Sequence, residues 1–161
     1  MNIKQQGVGL VEVLVALVLL AISVLGFAAL QLKAIEASAE ASKQVLALTI
    51  ARDLTERMRA NPQGIYPNGA VIVMDTFLPD DLTPVTPSSL VTQDLQNAAL
   101  QAKNNGMNIA VNLCPLTGTT RQCIYVAWDG TSLAGEKGIE NCIKKDEAYV
   151  SGSHCLFLEA Y

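Results

Sequence analysis

The sequence holds one histidine, His154, and none of the spaced motifs on which common enzyme chemistries are built. There is no Gly-x-Ser-x-Gly elbow, no Walker phosphate loop and no Cys-x-x-Cys pair. With no catalytic constellation in view, an enzyme is not expected. Basic charge is also scarce. Eleven Lys and Arg face fifteen Asp and Glu, for a net charge of −4, and Lys144-Lys145 is the only adjacent basic pair. Phosphate recognition needs a basic field, so specific nucleic-acid binding is not expected. Proline is missing until Pro62, and between Val8 and Ala60 the only glycines are Gly9 and Gly26. Nothing in that stretch breaks a helix.

What fills the N-terminus is an apolar run from Val8 to Leu30, 23 residues long and carrying one charge, Glu12. About 20 apolar residues span the hydrocarbon core of a bilayer. A carboxylate at a transmembrane helix centre costs roughly 2.5–3.5 kcal/mol and less near the interface. A plain anchor gives no reason to keep one. A secretory signal peptide has a shorter apolar core and a small-residue cleavage site after it. Here Ala28-Ala29-Leu30 leads directly into more helix-forming sequence.

The helical pattern continues to Ala60, where Asn61-Pro62 ends it, since proline disfavours helical geometry in the residue before it. A helix of that length would reach roughly 80 Å at 1.5 Å per residue, so its second half would project from a membrane. Leu46, Ile50, Leu54 and Met58 recur at i+4 as an apolar stripe, and Ala34, Ala37, Ala39, Ala41 and Ala47 keep the helix slender. Arg52–Glu56, Asp53–Arg57 and Glu56–Arg59 are candidate ion pairs on the polar side. Ser23 and Gly26 are the only weak points in the apolar half.

Residues 4–17, Lys-Gln-Gln-Gly-Val-Gly-Leu-Val-Glu-Val-Leu-Val-Ala-Leu, resemble the N-terminal signal of type IV pilins and type II secretion pseudopilins. The resemblance implies cleavage by a prepilin peptidase between Gly7 and Val8, N-methylation of Val8, and an assembly role for Glu12. It implies that Glu12 pairs with the N-terminal amine of a neighbouring subunit; a buried charge left alone is costly. Val8-Gly9 stands where the family usually has Phe or Met followed by Thr or Ser. The helix-kinking proline that many of these proteins carry is missing, as in minor subunits. The expected organisation is a leader over 1–7, a transmembrane and assembly helix over 8–32, and a periplasmic head over 33–161 that includes the second half of the long helix. Loss of Lys4 with the leader would bring the net charge to −5 (10 basic minus 15 acidic). Expected partners are the prepilin peptidase, other minor and major pilins, and the inner membrane before assembly. No cofactor is expected.

Beyond Pro62, Tyr66-Pro67-Asn68-Gly69 reads as a turn, and 70–74 as a short strand. Pro79, Pro84, Pro87 and Asp80-Asp81 read as an irregular stretch; two acidic residues are too few to assign a Ca²⁺ site. Ser88 to Gly106 has the pattern of a second helix, with Ser89 or Thr92 as cap, Asp94 in the first turn and Asn105-Gly106 as the stop. Its apolar face is Val91, Leu95, Ala98, Ala99 and Ala102, with Leu100 on the other side. Met107–Leu113, with Ile109, Val111 and Leu113 on one face, Ile124–Asp129 and Cys155–Tyr161 read as strands, and Trp128 as a core residue. His154 reads as a surface or turn residue, and Lys144-Lys145-Asp146-Glu147 as a solvated loop.

The four cysteines, Cys114, Cys123, Cys142 and Cys155, all lie in the last third. Their number and spacing fit two disulfides in an oxidising compartment and not a metal site. Three pairings exist; Cys114–Cys123 with Cys142–Cys155 is expected because each closes a short local loop. The predicted class is α+β with a type IV pilin fold, a small antiparallel sheet on the second half of the long helix. The segment from Thr92-Gln93-Asp94-Leu95 to Cys-Ile-Tyr-Val-Ala-Trp-Asp-Gly (123–130) resembles the PilV branch, the type IV pilus modification proteins. The type II secretion minor pseudopilins of the GspI kind share a very similar N-terminus. A tip adhesin or receptor is a third reading.

Overall fold

The computed structural model describes residues 9–71, 86–115, 120–135, 138–144 and 148–160. Gly7, Val8, residues 72–74 of the expected first strand, Pro79, Asp80, Asp81, Pro84, 145–147 and Tyr161 lie outside them. Helix α1 runs from Leu10 to Ala60, 51 residues without a break, through both Ser23 and Gly26. The chain divides into two compact units, Met1–Ala41 and Ser42–Tyr161.

In the first unit every described side chain before Glu40 is exposed, including Leu14, Leu17, Leu20, Leu25 and Phe27. The Ser23 hydroxyl donates to Leu19 O at 2.8 Å, so the polar group in this apolar stretch is satisfied within its own helix.

The second unit is an α+β head. From Ser42 onward α1 buries Ala47, Ile50, Ala51, Leu54, Thr55 and Met58. The expected i+4 stripe is there, widened by small residues at i+3 and i+4. Thr55 tolerates full burial because its hydroxyl bonds Ala51 O at 2.8 Å. Asp53–Arg57 and Glu56–Arg59 form ion pairs at 2.9 and 3.1 Å. The expected Arg52–Glu56 pair is not made, because Glu56 bonds Arg59 instead. The helix stops where Asn61 N–H makes its last bond, to Arg57 O, ahead of Pro62. The Asn61 amide then donates to Pro87 O at 2.9 Å and ties the exit to the next helix. Gly64 lies between them: a Cβ there would come within 2.4 Å of Asn61 Nδ2 and 2.6 Å of Val91 Cγ2.

Helix α2 spans Pro87–Asn104. Its cap is Thr86, not Ser89 or Thr92. The Thr86 hydroxyl accepts from Ser89 N–H, and the Ser89 hydroxyl accepts from Thr86 N–H, a reciprocal capping box. Pro87 therefore belongs to the helix rather than to the preceding loop. At the first helical position its missing N–H costs nothing. Starting there moves Asp94 out of the first turn and into the helix interior, where it is buried. Asn105 and Gly106, with φ +68° at Gly106, end the helix as expected.

Among the described residues four strands form an antiparallel sheet in chain order: β1 Gly69–Val71, β2 Met107–Leu113, β3 Gln122–Trp128 and β4 Cys155–Glu159. The register pairs Ile109 with Val126 and Val126 with Leu156. No hydrogen-bonded turn forms over Tyr66–Gly69; the chain bends at Asn68, and Gly69 begins β1. One sheet face, with Ile109, Val111, Ile124, Val126 and Trp128, joins α1 and α2 in the main core. Leu113 was expected on that face but is 47 % exposed, because it lies at the far end of β2 beyond the last covered pair. The opposite face carries a second core of Ala110, Tyr125 and Ala127 covered by Leu133, Cys142 and Ile143. Asn108 sets that layer in place, accepting from Leu133 N–H and donating to Thr131 O. With both faces covered, β3 buries every residue from Cys123 to Trp128.

Candidate assembly site

Glu12 lies in the first turn of α1. The carbonyl of Gly9 accepts from Glu12 N–H at 2.9 Å and from Val13 N–H at 3.3 Å, which makes Gly9 the N-cap and Glu12 the third helical residue. A carboxylate at that position faces the unsatisfied amides and the positive end of the helix dipole. Helix geometry thus offsets part of the cost of an acid in this segment. Among the described residues none bonds the Glu12 carboxylate, and its side chain is exposed. The cap role of Gly9 was not expected; the legible signal was a small residue immediately before the apolar helix.

The helix that carries Glu12 contains an 18-residue window of mean hydropathy 2.9, none of it buried, and is long and apolar enough to cross a membrane. Among the described residues of its own unit none covers it. A Cβ at Gly26 would meet no described atom within 4 Å, so no described contact requires glycine there.

In the head the four cysteines form two disulfides. Cys114 joins Cys123 across the β2–β3 connection, and Cys142 joins Cys155, tying the second core layer to β4. Polar links lock the head elements together. Asp94 accepts from the Tyr66 hydroxyl at 2.8 Å and lies 3.5 Å from the Arg57 guanidinium. Lys43 reaches both carboxylate oxygens of Asp129 at 2.6 and 2.8 Å, and Asp129 holds φ 49° in the turn after β3. His154 is half-buried with its ring 6.3 Å from Trp128, which is core, as expected.

Two open clefts indent the head. One of about 610 Å³ lies between β1 and α2, over Ile65, Val71, Val91 and Leu95, and has no ionisable group in its described lining. The other, of about 380 Å³, opens beside Tyr125 with Glu140 and Lys144 among its lining residues. Neither described lining contains a histidine or a cysteine, or sets a hydroxyl nucleophile beside a basic partner.

Comparison with known proteins places two matches end to end. Residues 2–28 match the prokaryotic N-terminal methylation motif, and residues 29–71 match the family model described as type IV pilin Tt1218, Tt1218-like. No curated protein matches, and no solved structure matches. The first match contains Gly9, Glu12 and most of the uncovered apolar helix; the second takes in the buried stripe of α1 and ends with β1. These two adjoining segments support a place for the chain among the type IV pilins.

Proposed function

We propose that this protein is a minor pilin of the PilV kind. It assembles through α1 into a type IV pilus and helps to initiate or cap the filament. In that role it serves pilus biogenesis and, through it, twitching, adhesion or DNA uptake. The observation that carries this reading is the uncovered apolar stretch of α1 with one carboxylate in its first turn, inside the matched methylation motif. Before assembly residues 8–32 lie in the inner membrane, with the N-terminus cytoplasmic and the head periplasmic. A prepilin peptidase cuts between Gly7 and Val8, and Val8 is methylated. The new amine then meets Glu12 of a neighbouring subunit in the filament core, and each charge relieves the desolvation of the other.

Intact-mass analysis of the mature protein tests the processing. The expected mass lacks residues 1–7, carries one methyl group and is four hydrogens lighter than the fully reduced chain. An intact N-terminus would remove the pilin reading and leave an anchored domain. Glu12→Val tests the pairing. The variant should enter the membrane at least as well as the parent, since an unfavourable carboxylate is gone, yet pilus assembly should fall sharply. Normal piliation would refute the role given to Glu12. A minor pseudopilin of a type II secretion system is the second reading, because the methylation motif serves both machines. A deletion strain separates them: loss of surface pili favours the first, and loss of protein secretion with pili intact favours the second.

A further inference from the structure

Among the described residues strand β4 is an edge of the sheet, and its hydrogen-bonding direction follows from the two ends of its ladder. Trp128 N–H donates to His154 O, and Ala160 N–H donates to Gln122 O. Even-numbered residues therefore turn their main-chain groups toward β3. By the alternation of an antiparallel ladder, Cys155, Phe157 and Glu159 turn theirs outward. Among the described residues none bonds those outward N–H and C=O groups. The strand also lacks the usual protections of an edge: Cys-Leu-Phe-Leu-Glu has no proline, no lysine and an unbroken register.

Side-chain burial points the same way. β3 is covered on both faces, whereas Cys155, Leu156, Phe157 and Leu158 are all only partly buried. Leu156 and Leu158 belong to the main-core face, and Cys155 and Phe157 to the second core. Both layers are thus left incomplete along the same line, which one added strand would extend together. The strand itself has the chemistry of the missing element. Leu156-Phe157-Leu158 is palindromic, so an antiparallel copy turned about Phe157 places leucine against leucine on one face and phenylalanine against phenylalanine on the other. Glu159 is already paired with Arg121 at 2.6 Å, so its charge does not stand alone at the end of that contact.

We infer that the β4 edge is a self-association surface, where a second copy of this chain adds its own β4 in antiparallel register. This does not rest on the filament reading and holds for the unprocessed chain as well. Site-resolved amide hydrogen exchange on the full chain in detergent micelles, over a concentration series, tests it. The amides of Cys155, Phe157 and Glu159 should exchange fast when dilute and slow by roughly tenfold or more on self-association, whereas those of Leu156 and Leu158 stay protected throughout. Outward amides that exchange equally fast at every concentration would overturn the inference, even if the chain dimerises through α1. Phe157→Pro removes one outward N–H and leaves the β3–β4 bonds in place, so it should abolish the concentration dependence. If that variant loses its sheet signal, the exchange pattern of the unaltered chain decides alone.

Discussion

Tyr125 is fully buried on β3, and its hydroxyl donates to Leu113 O at 2.9 Å. Burial, with a smaller contribution from Tyr149, pushes its pKa up to about 12 from the ordinary 10. The folded state thus holds the proton more tightly than the unfolded chain. The stability linked to Tyr125 is complete below pH 10 and is lost as pH rises from 10 through about 12. Urea midpoints of the head measured from pH 8 to 11.5 should decline over that range, and Tyr125→Phe should flatten the decline. At neutral pH the same substitution should cost about 0.5–1.5 kcal/mol for the lost hydrogen bond. An unaltered alkaline decline in the variant would assign it to other groups. Neither this tyrosine nor the Tyr66–Asp94–Arg57 link was legible in the sequence. Such contacts join residues from distant parts of the chain, and no local pattern records them. Asp53 and Asp94 raise the Arg57 pKa against the opposing effect of burial, so the guanidinium stays charged in this link.

Element by element, the long patterns were readable and the ends were not. The i+4 stripe of α1, the Asn61-Pro62 stop and the Asn105-Gly106 stop of α2 follow from local chemistry, and the structure has all three. The start of α2 was misplaced because Pro87 looks like a loop residue unless the first helical position is considered. The Thr86 cap predicts a measurable contribution. Thr86→Ala should destabilise the head by about 1 kcal/mol in denaturant unfolding, with an unchanged m-value. Ser89→Ala should cost less, since residue 89 keeps the main-chain N–H that the Thr86 hydroxyl accepts and only the return bond from Thr86 N–H is lost; equal losses would argue against the Thr86 hydroxyl as the main cap. The second core layer was missed outright. Its covering residues Leu133, Ile139 and Ile143 lie outside the two long helices and the sheet strands, Ile139 opening a single 3-10 turn over Ile139–Asn141, and show neither a 2-residue nor a 3.6-residue period.

For the molecule as a whole, class was legible because the helix, the strands and the turn residues agree on one arrangement. The pairing of cysteines followed from loop length alone, with sequence separations of 9 and 13 in the structure. The long apolar helix with its single acid was legible for a different reason: one charge in a long apolar run stands out in any window. What the sequence pattern did not convey was the cap geometry that places Glu12 at the third helical position. The two disulfides should not be equivalent in effect. Replacing Cys142 and Cys155 with serine should cost about 2–4 kcal/mol and loosen the layer over Tyr125. Near-UV circular dichroism should change while far-UV bands stay close to those of the parent. An unchanged near-UV spectrum would mean that Asn108 and apolar contacts hold the layer without the bridge.

The order of the strands in space is their order along the chain, and this bears on how the head reaches its native state. Each strand pairs only with its neighbour in sequence, and both disulfides close short loops. Of these pairings only β2–β3 is local; β1 meets β2 across α2, and β4 meets β3 across residues 129–154. The β2–β3 hairpin can close first, and the two longer loop closures that bring in β1 and β4 follow it. The Cys114–Cys123 bridge spans the same connection, so it holds the first closed part of the sheet in place while β1 and β4 join it.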